Sequence, residues 1–456
     1  MLPPEVPLAF TDLMSLAARL ENEKDYAFAD RLLERALAVA PDQPDALHLS
    51  GIVAFRLGRR EEALTKIERA IARGIDIRLY LRNISEVYRA LGRFDDALNA
   101  ALRAVALAPE DPVCLHNLAV IQYHRLELDD CIASAEKALR MNAFMPGPHF
   151  QLAEALLLRG EWDRGWAEYQ WRFDLPGNAP LMPPTTQPRW DGTPFDDGTL
   201  LLVADQGFGD VIQFSRYIPW AAERCPNIAV ATAIEMIPIL KRVYPAAKLF
   251  NEWRSAPPFR AFRALSGLPA LHGTRPDNML SGGPYLRAEP GRAAAWKERI
   301  HRLTPTASRR IGIVWAGRPT HNNDRWRSAS LAAFAPLAAL PNTALVSLQK
   351  GPMAAQAGQY FGAAPLVNVG AEITDFEDTI AALDALDMLV TVDTSVGHVA
   401  GAMGKKTFIL IARAPDWRWL LERTDTPWYP TVTLIRQSAT GVWDDAFARA
   451  AALVVQ

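Results

Sequence analysis

Three short loops hold the residue types from which group-transfer chemistry could be built. The first is Asp205-Gln206-Gly207-Phe208-Gly209-Asp210. Two glycines between an apolar run and a helical one let the backbone approach a ligand and turn its N–H groups toward it. Asp210 then has two readings: a first-turn carboxylate of the following helix, which needs no chemistry, or a general base on an acceptor hydroxyl. A dinucleotide fingerprint is excluded, because only the first two glycines of GxGxxG are present and Ile212 stands where the third belongs.

The second loop is Trp315-Ala316-Gly317-Arg318, followed by Asn322-Asn323-Asp324-Arg325-Trp326-Arg327-Ser328. Arg325 and Arg327 could neutralise a phosphate with their guanidinium forks, or form a solvated charge run. The third is Val392-Asp393-Thr394-Ser395-Val396-Gly397-His398, where an apolar run ending in Asp opens into a small-residue helix. Exposed N–H groups and the positive end of the helix dipole would sit beside a phosphate there, with Thr394 and Ser395 as hydroxyl donors. His398, one turn in, serves either that anion site or the core. No HExxH or DxD spacing points to a metal, and no cofactor is expected.

These loops need a frame. Leu200 to Ala204, Ile228 to Ala231, Ile311 to Trp315, Ala344 to Leu348, Met388 to Asp393 and Thr407 to Ala412 read as buried strands. Helical stretches such as Val211 to Arg224, Phe376 to Leu386 and Val396 to Met403 lie between them. That alternation predicts parallel sheets with helices on both faces, in two lobes, and ligands at the carboxyl ends of the strands. The segment Gly282 to Arg292, with Pro284, Pro290 and Gly291, is the expected hinge. Ahead of the lobes, 173–198 holds Pro176, Pro180, Pro183, Pro184, Pro188 and Pro194, too many for a helix or central strand. It reads as a connector.

The first third of the chain is different material. All 13 tryptophans lie at or after Trp162. Small residues recur at Ala29, Ala63, Ala97, Cys131 and Gly165, each 34 residues after the last. Ala36, Ala70, Ala104 and Ala138 keep the same period, as do turn glycines at Gly58, Gly92 and Gly160. Paired antiparallel helices need small side chains where they touch and a residue that lets the chain reverse. Pro41 and Pro109 then end second helices. The pattern resembles the tetratricopeptide repeat, in five copies from about Phe10 to Phe173. An Ala-rich bundle is the alternative, and three positions in one register argue against it. A solenoid of this kind holds a peptide or a protein. Trp162, Trp166, Tyr169 and Trp171, at helical spacing, would pack the last repeat against the next domain or contact a ligand.

Composition bounds the rest. The 456 residues suggest about three folding units, half are hydrophobic and 22% charged, and 49 basic against 51 acidic residues leave a net charge of −2. Wholesale disorder and nucleic-acid binding by bulk positive charge are excluded. Three widely spaced cysteines fit a reducing compartment. Met1 to Phe10 lacks the character of a signal peptide, and no apolar run approaches eighteen residues, so a cytoplasmic location without a membrane span is expected.

Taken in order, further residues make the loops specific: Gly160-Glu161-Trp162, Gly165-Trp166, Tyr169-Gln170-Trp171-Arg172, Asp416-Trp417-Arg418-Trp419 and Pro427-Trp428-Tyr429-Pro430. With them the chain resembles bacterial proteins that join tetratricopeptide repeats to a glycosyltransferase domain of the two-lobed GT-B type, related to the lipopolysaccharide heptosyltransferases. The resemblance implies four segments: a solenoid over 1–172, a connector over 173–198, an acceptor-side lobe over 199–283 and a nucleotide-sugar lobe over 284–456. It implies Asp210 as the base, with Gln206, Gly207 and Gly209 on the acceptor side. Gly317, Arg325, Arg327, Gln349, Asp393, Thr394, Ser395 and His398 would bind the donor. The reaction implied is a metal-independent, inverting transfer from a nucleotide sugar to Ser or Thr hydroxyls of a protein held by the repeats. Flagellin is the leading acceptor, and a nonulosonic acid on CMP is one donor. The chain departs from its relatives at Arg260 and Phe262, before Leu268-Pro269, and at Asp205, which replaces a glutamate. A scaffold without activity, or a transferase acting on lipopolysaccharide or another glycan, are the competing readings.

Overall fold

The structure, a computed structural model, describes residues 8–74, 77–176, 183–280, 283–321 and 323–456. Asn322, Gly282, Pro180 and Met1 to Pro7 lie outside the described residues. The chain forms two compact units, one through Ala155 and one from Leu156 to Gln456.

The first unit is a run of helix pairs: Phe10–Asn22 with Tyr26–Val39, Pro44–Arg56 with Arg60–Arg73, Arg78–Leu91 with Phe94–Leu107, and Pro112–Arg125 with Leu128–Met141. The periodic small residues are the contact points; Ala29, Ala63, Ala97 and Cys131 are wholly buried. Between partners the chain reverses through left-handed backbone at Lys24, Gly58, Gly92 and Leu126, with φ between 63° and 81°. Glycine takes that conformation without penalty, whereas Lys24 and Leu126 adopt it at roughly 1 kcal/mol each. Second helices stop at Ala40 and Ala108, directly before Pro41 and Pro109, because a residue preceding proline is pushed out of the helical region. Pro44 and Pro112 then open the next helices, capped by Gln43 and Asp111.

The second unit begins with the end of helix Pro146–Arg159 and helix Trp162–Tyr169, and continues into two parallel sheets. The first has strands β1 Leu200–Val203, β2 Ile228–Ala231, β3 Lys248–Phe250 and β4 Ala261–Ala264, in the order β3-β2-β1-β4. The second has β5 Arg309–Val314, β6 Thr343–Ser347, β7 Leu366–Asn368, β8 Met388–Val392, β9 Thr407–Ile411 and β10 Val432–Arg436, in the order β10-β9-β8-β5-β6-β7. Strand order reverses between β1 and β4 in one sheet and between β5 and β8 in the other. Those reversals open crevices at the carboxyl ends of the strands. All three loops of interest leave β1, β5 or β8 at such a crevice.

Three local expectations change. The helix expected over Val211 to Arg224 is two, Phe208–Ser215 and Ile218–Ala222, because Pro219 lacks the N–H that a continuous helix would require and sits instead in a first turn. In the expected hinge, the Tyr285 and Leu286 amides donate to the Ala402 carbonyl at 2.9 and 3.1 Å, and Pro290 and Gly291 open the helix Pro290–Leu303 under a Glu289 cap. The connector is partly structured too: Trp190 is buried, and its amide donates to the Phe262 carbonyl at 2.8 Å along the free edge of β4. Phe262 is therefore a core residue of that strand, and Arg260 is an exposed partner of Asp197.

Candidate functional site

The loop after β1 is tied down by its neighbours. Asp205 accepts from the Ser266 amide at 3.1 Å, and Arg172 meets Asp205 at 3.3 Å in a pair whose side chains are 3% and 2% exposed. That joins the loops after β1 and β4 at their crevice. Gly207 is the cap residue of helix Phe208–Ser215 and makes no side-chain cap bond, so Asp210 in the first turn is not its cap. The Asp210 carboxylate instead meets two side chains at one oxygen. Arg418 donates to Oδ1. The Gln206 amide nitrogen also donates to Oδ1, at 3.1 Å, in the orientation where its oxygen accepts from Tyr169 Oη at 2.9 Å and Arg172 Nε at 3.2 Å.

Arg418 reaches Asp210 from a fixed position. Its Nε donates to Gln213 Oε1 at 2.8 Å and its Nη1 to both Asp416 oxygens at 2.8 and 3.0 Å. The neighbouring Trp417 lies in an aromatic cluster with Trp162, Trp166, Tyr169 and Trp428, with ring centroids 5.2 to 6.2 Å apart. The aromatic residues at helical spacing thus pack helix Trp162–Tyr169 onto the Trp417 turn. Burial pushes the Asp210 carboxyl up to about 6, with Arg418 opposing and Asp416, Asp205 and Asp393 adding to the rise.

Opposite lies the turn after β8. Asp393 accepts from Trp419 Nε1 at 3.0 Å, and burial with the nearby Asp416 raises its proton affinity against the pull of Arg327. Thr394 precedes helix Ser395–Met403, offers it no side-chain cap, and bonds Thr391 through the hydroxyls at 3.0 Å. The amides at that helix start, with Ser395 at its first position, are left without a side-chain cap, which is the condition that favours an anion. His398 shares a 2.9 Å hydrogen bond between Nδ1 and Tyr429 Oη and lies against Trp419. Burial, then the positive Arg418, lowers its pKa to about 3, so the ring is neutral near pH 7. A Cβ on Gly209 would stand 2.8 Å from His398 Cδ2, so the loop after β1 and the helix after β8 are in contact.

The loop after β5 completes the surroundings. Gly317 N donates to Ser328 Oγ at 2.9 Å, Ser328 donates to Asp324, and a Cβ on Gly317 would meet Arg327 Nη2 at 2.7 Å. Arg327 Nε is buried and has no hydrogen-bond partner among the described residues. Arg325, two positions earlier, is exposed and stacks on Trp326 at 4.8 Å. Gln349 is buried and fully bonded to backbone: its oxygen accepts from the Trp315 and Ala316 amides at 3.0 and 2.9 Å, and its nitrogen donates to the Ala316 and Lys350 carbonyls. It holds the loop and has no valence left for a donor. Contact and charge thus link the three loops: Gly209 meets His398, Asp210 meets Gln206 and feels Asp393, and Arg327, which lies against Gly317, acts on Asp393. Arg418, Asp416 and Trp419, absent from the expected site, belong to this cleft.

Comparison with known proteins defines the first unit's class. Residues 17–77 and 48–112 match the tetratricopeptide-repeat family model, so the N-terminal region is a helical repeat solenoid, followed by a region of parallel sheets and helices. The chain is similar to protein FlbA of Caulobacter vibrioides, with 25% identity over 326 residues, 66% of this chain and 54% of that protein. It thus spans about half the length of that relative, and a match to 66% of the chain must run well into the second unit. Solved structures similar to it include Pseudomonas aeruginosa pilF (20% identity, 37% of this chain, 77% of that one, TM-score 0.34). A thermophilic repeat protein of Thermus thermophilus (24%, 38%, 94%, 0.34) is another. No helix of the described residues is long and apolar enough to cross a membrane.

Proposed function

We propose that the second unit is a GT-B type glycosyltransferase that moves a sugar from a nucleotide donor to a protein hydroxyl, with the repeats holding the acceptor. The observation that carries this reading is the contact of Gly209 with His398, which sets the Asp210 loop and the uncapped helix start at Ser395 in one crevice. In the reaction, Asp210 Oδ2 takes the proton of the acceptor hydroxyl as its oxygen attacks the anomeric carbon with inversion. The bond from that carbon to the phosphate oxygen breaks, and its electron pair leaves with the nucleotide. The helix N-terminus and Arg327 would stabilise that charge, with no metal required. Repeat solenoids generally bind proteins, which supports a protein acceptor. Flagellin as acceptor and CMP-nonulosonic acid as one donor rest on the family resemblance, as does a cytoplasmic location.

One observation favours a second reading, an interaction protein without activity: Arg418 occupies the carboxylate that must act as base. A thermal-shift panel of UDP-, GDP-, ADP- and CMP-sugars separates the two. The transferase reading expects one nucleotide class to raise the melting temperature of the wild type and not of Thr394→Val/Asp393→Ala. No shift with any class supports the scaffold.

A further inference from the structure

We infer that Arg418 is a positioning residue that reserves Oδ2 of Asp210 for the incoming proton and keeps that carboxylate ionised in a cleft that would otherwise neutralise it. The role in transfer rests on the reading proposed above; the electrostatic role does not.

The geometry divides the carboxylate in two. Oδ1 takes both the Arg418 guanidinium and the Gln206 amide. Oδ2 faces Gly207, whose missing Cβ would lie 3.2 Å away, and no hydrogen bond reaches Oδ2 among the described residues. A side chain at that position would crowd Oδ2 on this side. Arg418 cannot easily swing aside, because Gln213 and Asp416 hold its other nitrogens and its side chain is 6% exposed. It therefore acts as a fixed positive group, not as a mobile gate.

The charge count shows why one is needed. Asp210 is 25% exposed and faces Asp205 on its own loop, Asp393 on the turn after β8 and Asp416 on the Trp417 turn. Tyr169 also faces it, and the neutral His398 packs against the adjacent Gly209. Burial and three carboxylates favour a proton on Asp210; Arg418 is the one cation in contact with it among the described residues. An opposite charge at such range lowers a carboxyl pKa by about 1–3 units.

The test uses full-length protein and needs no substrate. A carboxyl whose pKa is raised in the fold contributes stability that is present at low pH and lost as pH climbs through the folded value. The melting temperature of Asp210→Asn relative to wild type is therefore expected to rise from about pH 4 and level off near pH 6. In an Arg418→Gln background the same difference is expected to keep rising for about 1–3 further pH units. Arg418→Lys, which keeps the charge and loses the fork, is expected to give a smaller displacement, and it serves alone if Arg418→Gln does not fold. Levelling at the wild-type pH in both backgrounds would overturn the inference. Sugar transfer is measured separately, so its absence would sink the transferase reading without touching this result.

Discussion

Gly209 and His398 are separated by most of the second unit's sequence, yet the glycine's missing side chain is the space in which the imidazole sits, 2.8 Å from where a Cβ would be. That approach brings a strand-to-helix loop of the first sheet against the helix after β8 of the second. Everything proposed for the cleft depends on it.

Gly209→Ala should therefore separate the two loops. His398 is 6% exposed and bonded to Tyr429, so it cannot retreat. Overpacking is expected to cost about 1–3 kcal/mol. Thermal unfolding checks it, and an unchanged melting temperature with unchanged nucleotide-sugar binding would count against the contact.

Trp162→Ala tests whether helix Trp162–Tyr169 braces the site. The ring is 1% exposed and stacks on Trp428 at 5.4 Å. Truncation of such a ring costs about 3–5 kcal/mol, and loss of the brace on Trp417 is expected to weaken donor binding as well. Residues 156–456 are expected to fold without the first unit, whereas a chain starting at 174 is not, since it lacks Trp162, Tyr169 and Arg172.

Arg216→Lys should loosen the two lobes. Arg216 donates to the Trp428 carbonyl at 2.8 Å and lies 4.9 to 5.5 Å over the rings of Tyr285, Trp428 and Tyr429. Lysine offers neither the fork nor the planar stack. A loss of about 1–2 kcal/mol in thermal or denaturant unfolding is expected for the lost stacking over the three rings.

The repeats should be acid-sensitive. Burial, countered by Asp45, lowers His48 to about 4, and burial with the positive Arg89 lowers His124 to about 3. A base depressed in the fold adds stability above its unfolded pKa, and that stability is lost as pH falls from about 6.5 toward the folded values. Melting of residues 1–155 is expected to drop between pH 7 and pH 4, and His48→Gln is expected to reduce the drop. A flat profile would contradict it.

How much of this could be read from the chain depends on whether the signal is local. The 34-residue period is carried by small side chains, so Ala29, Ala63 and Ala97 announce the helix contacts. Lys24 and Leu126 do not announce their left-handed backbone, because neither residue type favours it. Six strands are continuous apolar runs and legible. β3 and β7 have three residues each at the sheet edges, β4 is interrupted by Arg263, and β10 by Thr433 and Arg436, so none presents an unbroken apolar run of the kind that marks the other six. Asp210 and the Asp393 turn stand out because a glycine pair and a small-residue helix flank them. Arg418 shows only as part of an Asp-Trp-Arg-Trp string, since its carboxylate partner is 208 residues away. Arg325 and Arg327 differ by two positions on one turn of helix, and only folding decides which faces the Gly317 loop. Gln349 carries a polar signal that the fold uses to hold the loop.

The central claim is that Asp210 acts as base in a sugar transfer. Flagellin produced with the wild type, with Asp210→Asn and without the protein should be compared by intact mass. A mass increment of one or more sugars with the wild type alone is the expected result. Equal increments with both forms would contradict a role for Asp210, and no increment with any candidate acceptor would leave the cleft as part of a docking protein.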